Sequence, residues 1–389
     1  MLTAAERSVA AWLAAREGEM LALLETLVNV DSGTWDKPGV DAAGEPLKAF
    51  LAAHGLTIST DPDARFGEAI RACLARPDAA DQRPIVLMGH RDTVFPKGEP
   101  TRRPFRREGD MAYGPGVADM KSGLVINAFA AAAFAACGGP EAPVVVLITS
   151  DEEIASPFSR AVIEREARAA RCVFNSEPSR RGPHRITKGR KGGVFMTMEV
   201  TGKAAHSGAN HDKGVSAIEE IARKIPKIHA LTDYARGITL NVGTIHGGQT
   251  VNTVAPSCRA EIDLRYVKAQ DRAPAIEAIR AIVETCSVPG ATASLSVSGE
   301  FLPLEESEAG RRLFEIYRDA AADLGFEVTA EFTGGCADSG YTAAVGCPTL
   351  CSVGPAGGGG HTPEEFIHVD TLVPCAQALA VSVMRAARD

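Results

Sequence analysis

Residues able to hold a metal or move a proton stand at the ends of short apolar runs. Ile85-Val-Leu-Met88 leads into Gly89-His90-Arg91-Asp92-Thr93, and Val144–Thr149 into Ser150-Asp151-Glu152-Glu153. Cys172-Val-Phe174 leads into Asn175-Ser176-Glu177-Pro178, and Thr349–Val353 reaches His361-Thr-Pro through a glycine loop. Asp119 lies just before an apolar helical segment, in Gly114-Pro-Gly-Val-Ala-Asp119-Met-Lys-Ser. Two imidazoles with several carboxylates form a nitrogen/oxygen donor set that suits Zn²⁺ best, with Mn²⁺ or Co²⁺ as alternatives. So many carboxylates in one crevice resist joint ionisation, and two divalent cations would offset them, with a carboxylate such as Asp119 able to bridge. Asp92, two residues after His90, is placed to accept the imidazole's other N–H and so fix its tautomer.

Each motif also has an ordinary reading. A His-x-Asp turn can be structural, Glu152-Glu153 a solvated helix start, and Asp119 a partner for a helix dipole. His361 beside four glycines can be simple loop. The chemical reading is preferred because all five motifs fall at matching topological points.

Those points come from the elements around them. The first third alternates helix and strand signals, with helical spacing over Glu6–Val28 and a helix over Ser122–Cys137 stopped by Gly138-Gly139-Pro140. Near the other end a strand at Thr349–Val353 precedes a closing helix over Ala376–Ala387. Strands buried on both faces and alternating with helices predict an α/β fold, a mostly parallel sheet with helices on both faces. In such sheets the functional crevice lies beyond the carboxyl ends of the strands, where the candidate residues sit. The middle reads differently. Gly193–Thr201 and Cys258–Tyr266 alternate polar and apolar residues, with further elements over Val215–His229, Ile238–Thr244, Ala273–Thr285 and Ala293–Val297. That β-α-β-β-α-β order predicts an inserted two-layer α+β, ferredoxin-like domain at 191–302, with 1–190 and 303–389 forming the catalytic domain.

Composition removes other classes of function. With 389 residues, 41 Lys+Arg against 49 Asp+Glu and a net charge of −8, two domains are expected and a nucleic-acid partner is not. Aromatics at 5% offer no base-stacking platform. The longest apolar stretch, Leu124–Cys137, is too short to span about 30 Å of hydrocarbon and reads as a buried Ala-rich helix, so no membrane partner is expected. Nine cysteines form no CxxC pair and no export signal opens the chain, which predicts reduced thiols and a cytoplasmic location. Cys347 and Cys351 fit the alternation of an apolar strand better than a metal pair.

His90-Arg-Asp92-Thr-Val, Gly114-Pro-Gly-Val-Ala-Asp119-Met-Lys, Asp151-Glu152-Glu153, Ser176-Glu177-Pro and Gly360-His361 resemble, in order and over nearly the whole chain, the co-catalytic zinc aminoacylase/carboxypeptidase family. The resemblance implies His90 and Glu177 on one zinc, Glu153 and His361 on a second, and Asp119 bridging. It also implies a non-proline cis peptide after Asp119 and a water, activated by the metal pair, attacking an amide carbonyl with Glu152 as general base. Thr201-Gly-Lys-Ala-Ala-His206-Ser-Gly resembles the family's lid motif, whose histidine stabilises the oxyanion, commonly across a homodimer. Gly247-Gly-Gln-Thr-Val-Asn252-Thr-Val and Asp263-Leu-Arg265-Tyr resemble segments that put Asn252 and Arg265 at the substrate's carboxylate. The ordinary readings are a turn histidine for His206 and an exposed strand residue for Arg265.

Gly-Pro-Gly before Asp119, with Asp92-Thr-Val-Phe-Pro-Lys-Gly and Arg103-Pro-Phe, is most similar to the glutamate carboxypeptidase branch. The expectation is therefore release of a C-terminal amino acid, glutamate being one candidate, from a small peptide or N-acyl conjugate. Two departures stand out. Glu300 and Phe301 occupy a stretch where folate-cleaving members carry a basic residue, which points to a more apolar residue or another acyl group. Cys336 stands in the glycine-rich turn Gly334-Gly-Cys336-Ala-Asp338-Ser, with no histidine implied beside it to make it a nucleophile. The alternatives are an N-acyl-amino-acid amidohydrolase of the same family and, from another class, a non-catalytic binding protein on the same fold. A hydride-transfer enzyme is disfavoured because no GxGxxG follows an early strand.

Overall fold

The computed structural model describes residues 1–180 and 182–389. The chain divides into two compact units, Met1–Gly189 with Glu306–Thr333 and Ala337–Asp389, and Arg190–Glu305 with Gly334–Cys336. Gly334–Cys336 thus groups with the second unit, whereas the sequence reading assigns it to the first.

In the first unit an eight-stranded sheet runs in the order 57–61, 69–74, 144–149, 85–90, 172–175, 349–351, 185–190, 329–333. Its centre is parallel: Ile85–His90 pairs with Val144–Thr149 and Cys172–Asn175, which in turn pairs with Thr349–Cys351. These strands are buried along their whole length, as continuous apolar runs must be when helices cover both faces. The margins are antiparallel, Thr57–Asp61 on Ala69–Leu74, Ala69–Leu74 on Val144–Thr149, and Cys351 on Thr187. A four-stranded sheet of very short strands (106–108, 111–113, 366–368, 357–358) adds to this unit. Neither the antiparallel margins nor this small sheet is anticipated from the sequence.

The helix Ser122–Cys137 is buried almost throughout. Together with the preceding turn it is long and apolar enough to cross a membrane, but 83% of that window is packed inside the fold. It belongs to a single core with Leu87, Val146 and Phe174 of the sheet and Leu379 and Val383 of the closing helix, Leu372–Ala386. The N-terminal segment forms two helices, Ala4–Ala14 and Glu17–Val28, the first opened by a capping box between Thr3 and Glu6.

The second unit follows the expected β-α-β-β-α-β sequence: Gly192–Thr201, Ala217–His229, Thr239–Gly247, Ser257–Tyr266, Ala269–Glu284 and Thr292–Phe301. Its sheet is antiparallel, ordered 239–247, 257–266, 192–201, 292–301. Alternate residues of Ser257–Tyr266, among them Ala260, Ile262 and Leu264, join Ile221, Ile228, Ile279 and Val283 of the helices in its core. This alternation is what makes a one-face-buried strand legible in sequence.

Candidate metal centre

Three parallel strands deliver their polar ends to one place. His90 ends the 85–90 strand, the 144–149 strand runs into a one-turn helix at Glu152–Ile154, and the 172–175 strand gives way to Ser176-Glu177. Glu177 is set by backbone: the Ser176 N–H donates to the Met88 carbonyl at 3.0 Å and the Gly354 N–H to the Glu177 carbonyl at 3.0 Å. Glycine is required at 123 and 354, because a Cβ at either would run into the Ser176 carbonyl oxygen. The Ser176 hydroxyl donates to Asn127 at 2.6 Å, and the Asn127 amide donates to the Met88 carbonyl at 3.1 Å.

Asp119 is presented by the Val117–Lys121 turn, whose dihedrals depart from helical at Asp119 and Met120. The Asp119–Met120 peptide is cis, as the resemblance implies. Glu365, fully buried, accepts the N–H groups of Gly116, Ala118 and Asp119, each at 2.9 Å. Burial pushes its carboxyl up to about 7, Asp119 adds to that, and the three N–H bonds oppose it.

The five expected ligands converge as two groups sharing Asp119: His90, Asp119 and Glu177, and Asp119, Glu153 and His361, with ligand atoms in each lying within 4.8 Å of one another. His90 Nε2 is 3.4 Å from Asp119 Oδ1 and 3.5 Å from Glu177 Oε1. His361 Nε2 is 3.0 Å from Asp119 Oδ2 and 3.2 Å from Glu153 Oε2. Each Asp119 oxygen therefore faces a different histidine. Glu152 Oε2 lies 3.8 Å from His90 Nε2.

Asp92 faces His90 Nδ1 as expected and does more besides. His90 Nδ1 makes its shorter contact, 3.1 Å, with the Asp92 backbone carbonyl, the nearer carboxylate oxygen being at 3.4 Å. The Asp92 carboxylate also accepts the N–H groups of Glu152 and Glu153, both at 3.2 Å, and the Thr34 hydroxyl at 2.7 Å. One buried aspartate so aims the acidic doublet. Asp151 holds the other end of the turn, accepting the Phe158 N–H at 2.7 Å and the Ser159 N–H at 3.2 Å. Ala155 and Ser156 follow with φ of 69° and 50°, tied down by Tyr341 Oη to the Ala155 carbonyl at 2.9 Å and by the Ser156 hydroxyl to Asp338 at 2.5 Å.

Carboxylates outnumber basic groups here, and burial and neighbouring charges shift them. Burial works to lower the His90 imidazole, yet Glu152, Asp119, Asp92 and Glu177 together raise it well above its usual value. Burial drives Glu152 well up, and Glu177, Asp338 and Glu153 add to the shift against the pull of His90. Burial and then Asp119 push Glu153 up to about 7, and burial takes Asp338 to about 7. Hydrogen bonds to Asp119 and then Glu153 take His361 up to about 10. Burial would raise Asp119, but Arg180 and the two histidines hold it well below the carboxylate range. Arg180 Nη2 donates to Asp119 Oδ2 at 2.7 Å and lies 3.4 Å from Glu177.

A divalent metal fits these residues. Among the described residues, His90 Nε2 and Glu153 Oε1 are buried without a hydrogen-bond partner, and both belong to the donor groups. Orphaned buried atoms on borderline-soft nitrogen and hard oxygen donors are what a divalent cation would satisfy.

Arg180 and Glu365 are absent from the sequence reading, and Asp338 enters it only as part of the glycine-rich turn after Cys336. Arg180 follows Glu177 at a three-residue step, a weak signal. Glu365 and Asp338 act on residues more than 180 positions away and have no local signature.

The second unit holds the other expected residues. His206 is exposed, and its Nδ1 accepts the Gly208 and Ala209 N–H groups at 3.1 and 3.2 Å, so the turn reading describes its backbone setting. It neighbours Asn252, whose carbonyl accepts the Ser207 N–H at 3.0 Å. Arg265 donates to Asp263 at 2.8 and 3.0 Å and to Cys336 Sγ at 2.7 Å, with its guanidinium 5.2 Å from the Phe195 ring. Burial raises the Cys336 thiol and Arg265 lowers it, the net shift being upward, which agrees with a non-nucleophilic cysteine. Glu300 pairs with Arg272, so its charge is partly neutralised within the unit.

A family model described as Peptidase family M20/M25/M40 matches residues 86–385. Carboxypeptidase G2 of Pseudomonas sp. (strain RS-16) is 31% identical over 357 residues, 90% of this chain and 85% of that protein. Acetylornithine deacetylase of Edwardsiella ictaluri (strain 93-146) is 26% identical over 377 residues, 91% and 94% of the two chains. Among solved structures, the M20 family metallo-carboxypeptidase Sso-CP2 from Sulfolobus solfataricus shares the fold with a TM-score of 0.80 at 17% identity, over 95% of this chain and 100% of that one. The chain belongs to the M20/M25/M40 peptidase family and is a metal-dependent hydrolase of the metallopeptidase/amidohydrolase kind.

Proposed function

We propose that the protein hydrolyses the amide bond of an N-acyl amino acid or small peptide and releases the C-terminal amino acid, using two Zn²⁺ ions. The observation that carries this reading is Asp119 facing His90 with one oxygen and His361 with the other, while Glu152 stands beside His90 outside both ligand groups. His90 and Glu177 would hold one ion, Glu153 and His361 the second, and Asp119 both. When bound, the pair polarises the amide carbonyl and makes water nucleophilic near neutral pH. Glu152 takes a proton from the attacking water and returns it to the departing nitrogen. Asp92 keeps Glu152 and Glu153 aimed through their backbone N–H groups.

His206 donates to the oxyanion. Its Nδ1 lone pair is taken by two N–H groups, which puts the ring hydrogen of the neutral form on Nε2. Arg265, with Asn252, receives the substrate carboxylate. A homodimer, with His206 acting on the partner's substrate, goes with this assignment.

The test is Glu152→Gln, which should lower kcat by about 10² to 10⁴. Metal content, read by elemental analysis, should be unchanged. Intact metal with unaltered activity would remove Glu152 from this role. The similarity to acetylornithine deacetylase along most of the chain supports deacylation as the second reading. N-acetyl and dipeptide substrates ending in Glu, Ala, Leu or Phe separate the two.

A further inference from the structure

The loop that carries His361 joins two paired strands, 357–358 and 366–368, and is closed by its own bonds. Gly359 and His361 both have positive φ, 65° and 67°. The Thr362 N–H and hydroxyl both donate to the Gly359 carbonyl, at 3.0 and 2.8 Å, and the Glu364 N–H donates to the Thr362 hydroxyl at 3.2 Å. A turn tied by a threonine in this way moves as one piece, so a hold on any of its residues reaches the imidazole. On the inner side Glu365 ties the loop to the Asp119 turn. On the outer side Arg103 Nη1, 260 positions away along the chain, donates to the Pro363 carbonyl at 2.6 Å. The imidazole itself is 51% exposed, so packing restrains it on one side only.

Arg103 is in turn fixed. Its Nε bonds Glu99, in the one-turn helix Glu99–Arg102, and its guanidinium lies 4.9 Å from the centroid of the Phe95 ring. Arg102 bonds the same carboxylate at 3.0 and 2.7 Å. Glu99 is 3% exposed, and burying a carboxylate is costly. The arrangement also leaves Arg103 Nη2, among the described residues, buried without a hydrogen-bond partner. An arginine that only stapled the surface would need neither cost, since on an exposed carboxylate all its N–H groups would reach water. What the two costs secure is direction. With Nε committed to Glu99, the planar guanidinium can send Nη1 only one way, and it meets the carbonyl two residues from His361.

Resting on the zinc assignment proposed above, we infer that Arg103, locked on Glu99, is the positioning residue of His361. Through the Pro363 carbonyl it keeps the loop closed, so that the imidazole faces Asp119 and Glu153.

The experiment is a double-mutant cycle between Arg103 and His361, read as zinc affinity by chelator competition. Arg103→Ala should weaken zinc binding about tenfold, as expected of a group that orients a metal ligand. Arg103→Lys should recover part of the loss, because an ammonium can donate to the Pro363 carbonyl but lacks the direction of the fork. It also runs the same cycle should Arg103→Ala not fold. In a His361→Ala background, Arg103→Ala should weaken binding by less than about twofold, because the ligand it positions is gone. No loss in the wild-type background, or an equal loss in both, overturns the inference, since a residue that merely braces the fold acts in either. In chelator, the His361 ring-proton resonance, assigned by its disappearance in His361→Ala, should shift in Arg103→Ala while that of His54 stays in place. Should the protein take up no zinc, the function proposed above fails and this resonance alone decides: a shift supports the positioning role, and an unmoved line overturns it.

Discussion

The two ligand groups share Asp119 and differ in almost everything around it. His90 and Glu177 are 1% and 3% exposed, stand at strand ends, and are positioned by the sheet's own backbone bonds. His361 is 51% exposed and sits with φ of 67° in a loop after the four glycines 357–360. One half of the centre is built as part of the hydrophobic core, whereas the other closes over it from a loop. Burial makes the first half costly to leave unpaired and geometrically fixed. Exposure of His361, beside the buried Glu153, opens only the loop side of the second half to solvent.

Single-residue removal should expose that asymmetry most strongly. His90→Ala leaves Asp119, Glu152 and Glu177 facing one another in a dry site, and should destabilise the metal-free protein by about 3 kcal/mol. His361→Ala should cost about 1 kcal/mol or less, because the half-exposed imidazole is screened by solvent and Arg180 still pairs with Asp119. Urea unfolding in chelator measures both, and equal losses would abolish the distinction between the halves.

A smaller effect is expected at Glu365, which touches neither histidine but holds the Asp119 turn through three N–H groups. Glu365→Gln preserves the shape and removes the charge. Zinc affinity should weaken about 10- to 100-fold, with the fold intact by circular dichroism. An unchanged affinity in a chelator competition would show that the turn needs no such anchor.

The gentlest test is pH. In the metal-free protein burial and then Asp119 push Glu153 up to about 7, and hydrogen bonds to Asp119 and then Glu153 push His361 up to about 10. Both hold protons that a cation must displace, so zinc affinity should rise with pH, by up to about tenfold per unit for each proton released. Dye competition between about pH 6 and about pH 8 reads the slope. His361→Ala should flatten it, and a slope unaffected by that change would assign the protons to the buried half instead.

Legibility followed the same division. The central strands were readable because a strand buried on both faces must be a continuous apolar run, as in Val144–Thr149. The antiparallel margins were not. Thr57–Asp61 is largely exposed and Ala69–Leu74 carries Arg71, so neither shows a clean period. Strands of two or three residues, such as 357–358 and 366–368, are too short for any pattern. His90, Glu153 and Glu177 were legible because they close or follow buried strands, whereas Asp119 in its turn and His361 in its loop were legible only in company with them. Asp92 was legible as a partner of His90 but not as the anchor of Glu152, Glu153 and Thr34.

Sequence alone determined which side chains arrive at the strand ends, and hence the donor set, because local hydrophobic pattern dictates where strands stop. Tertiary structure alone decided how those donors divide into two groups around Asp119 and which carboxylates support them from behind. Those facts depend on distances between segments far apart along the chain, set by packing and backbone bonding that no local pattern encodes.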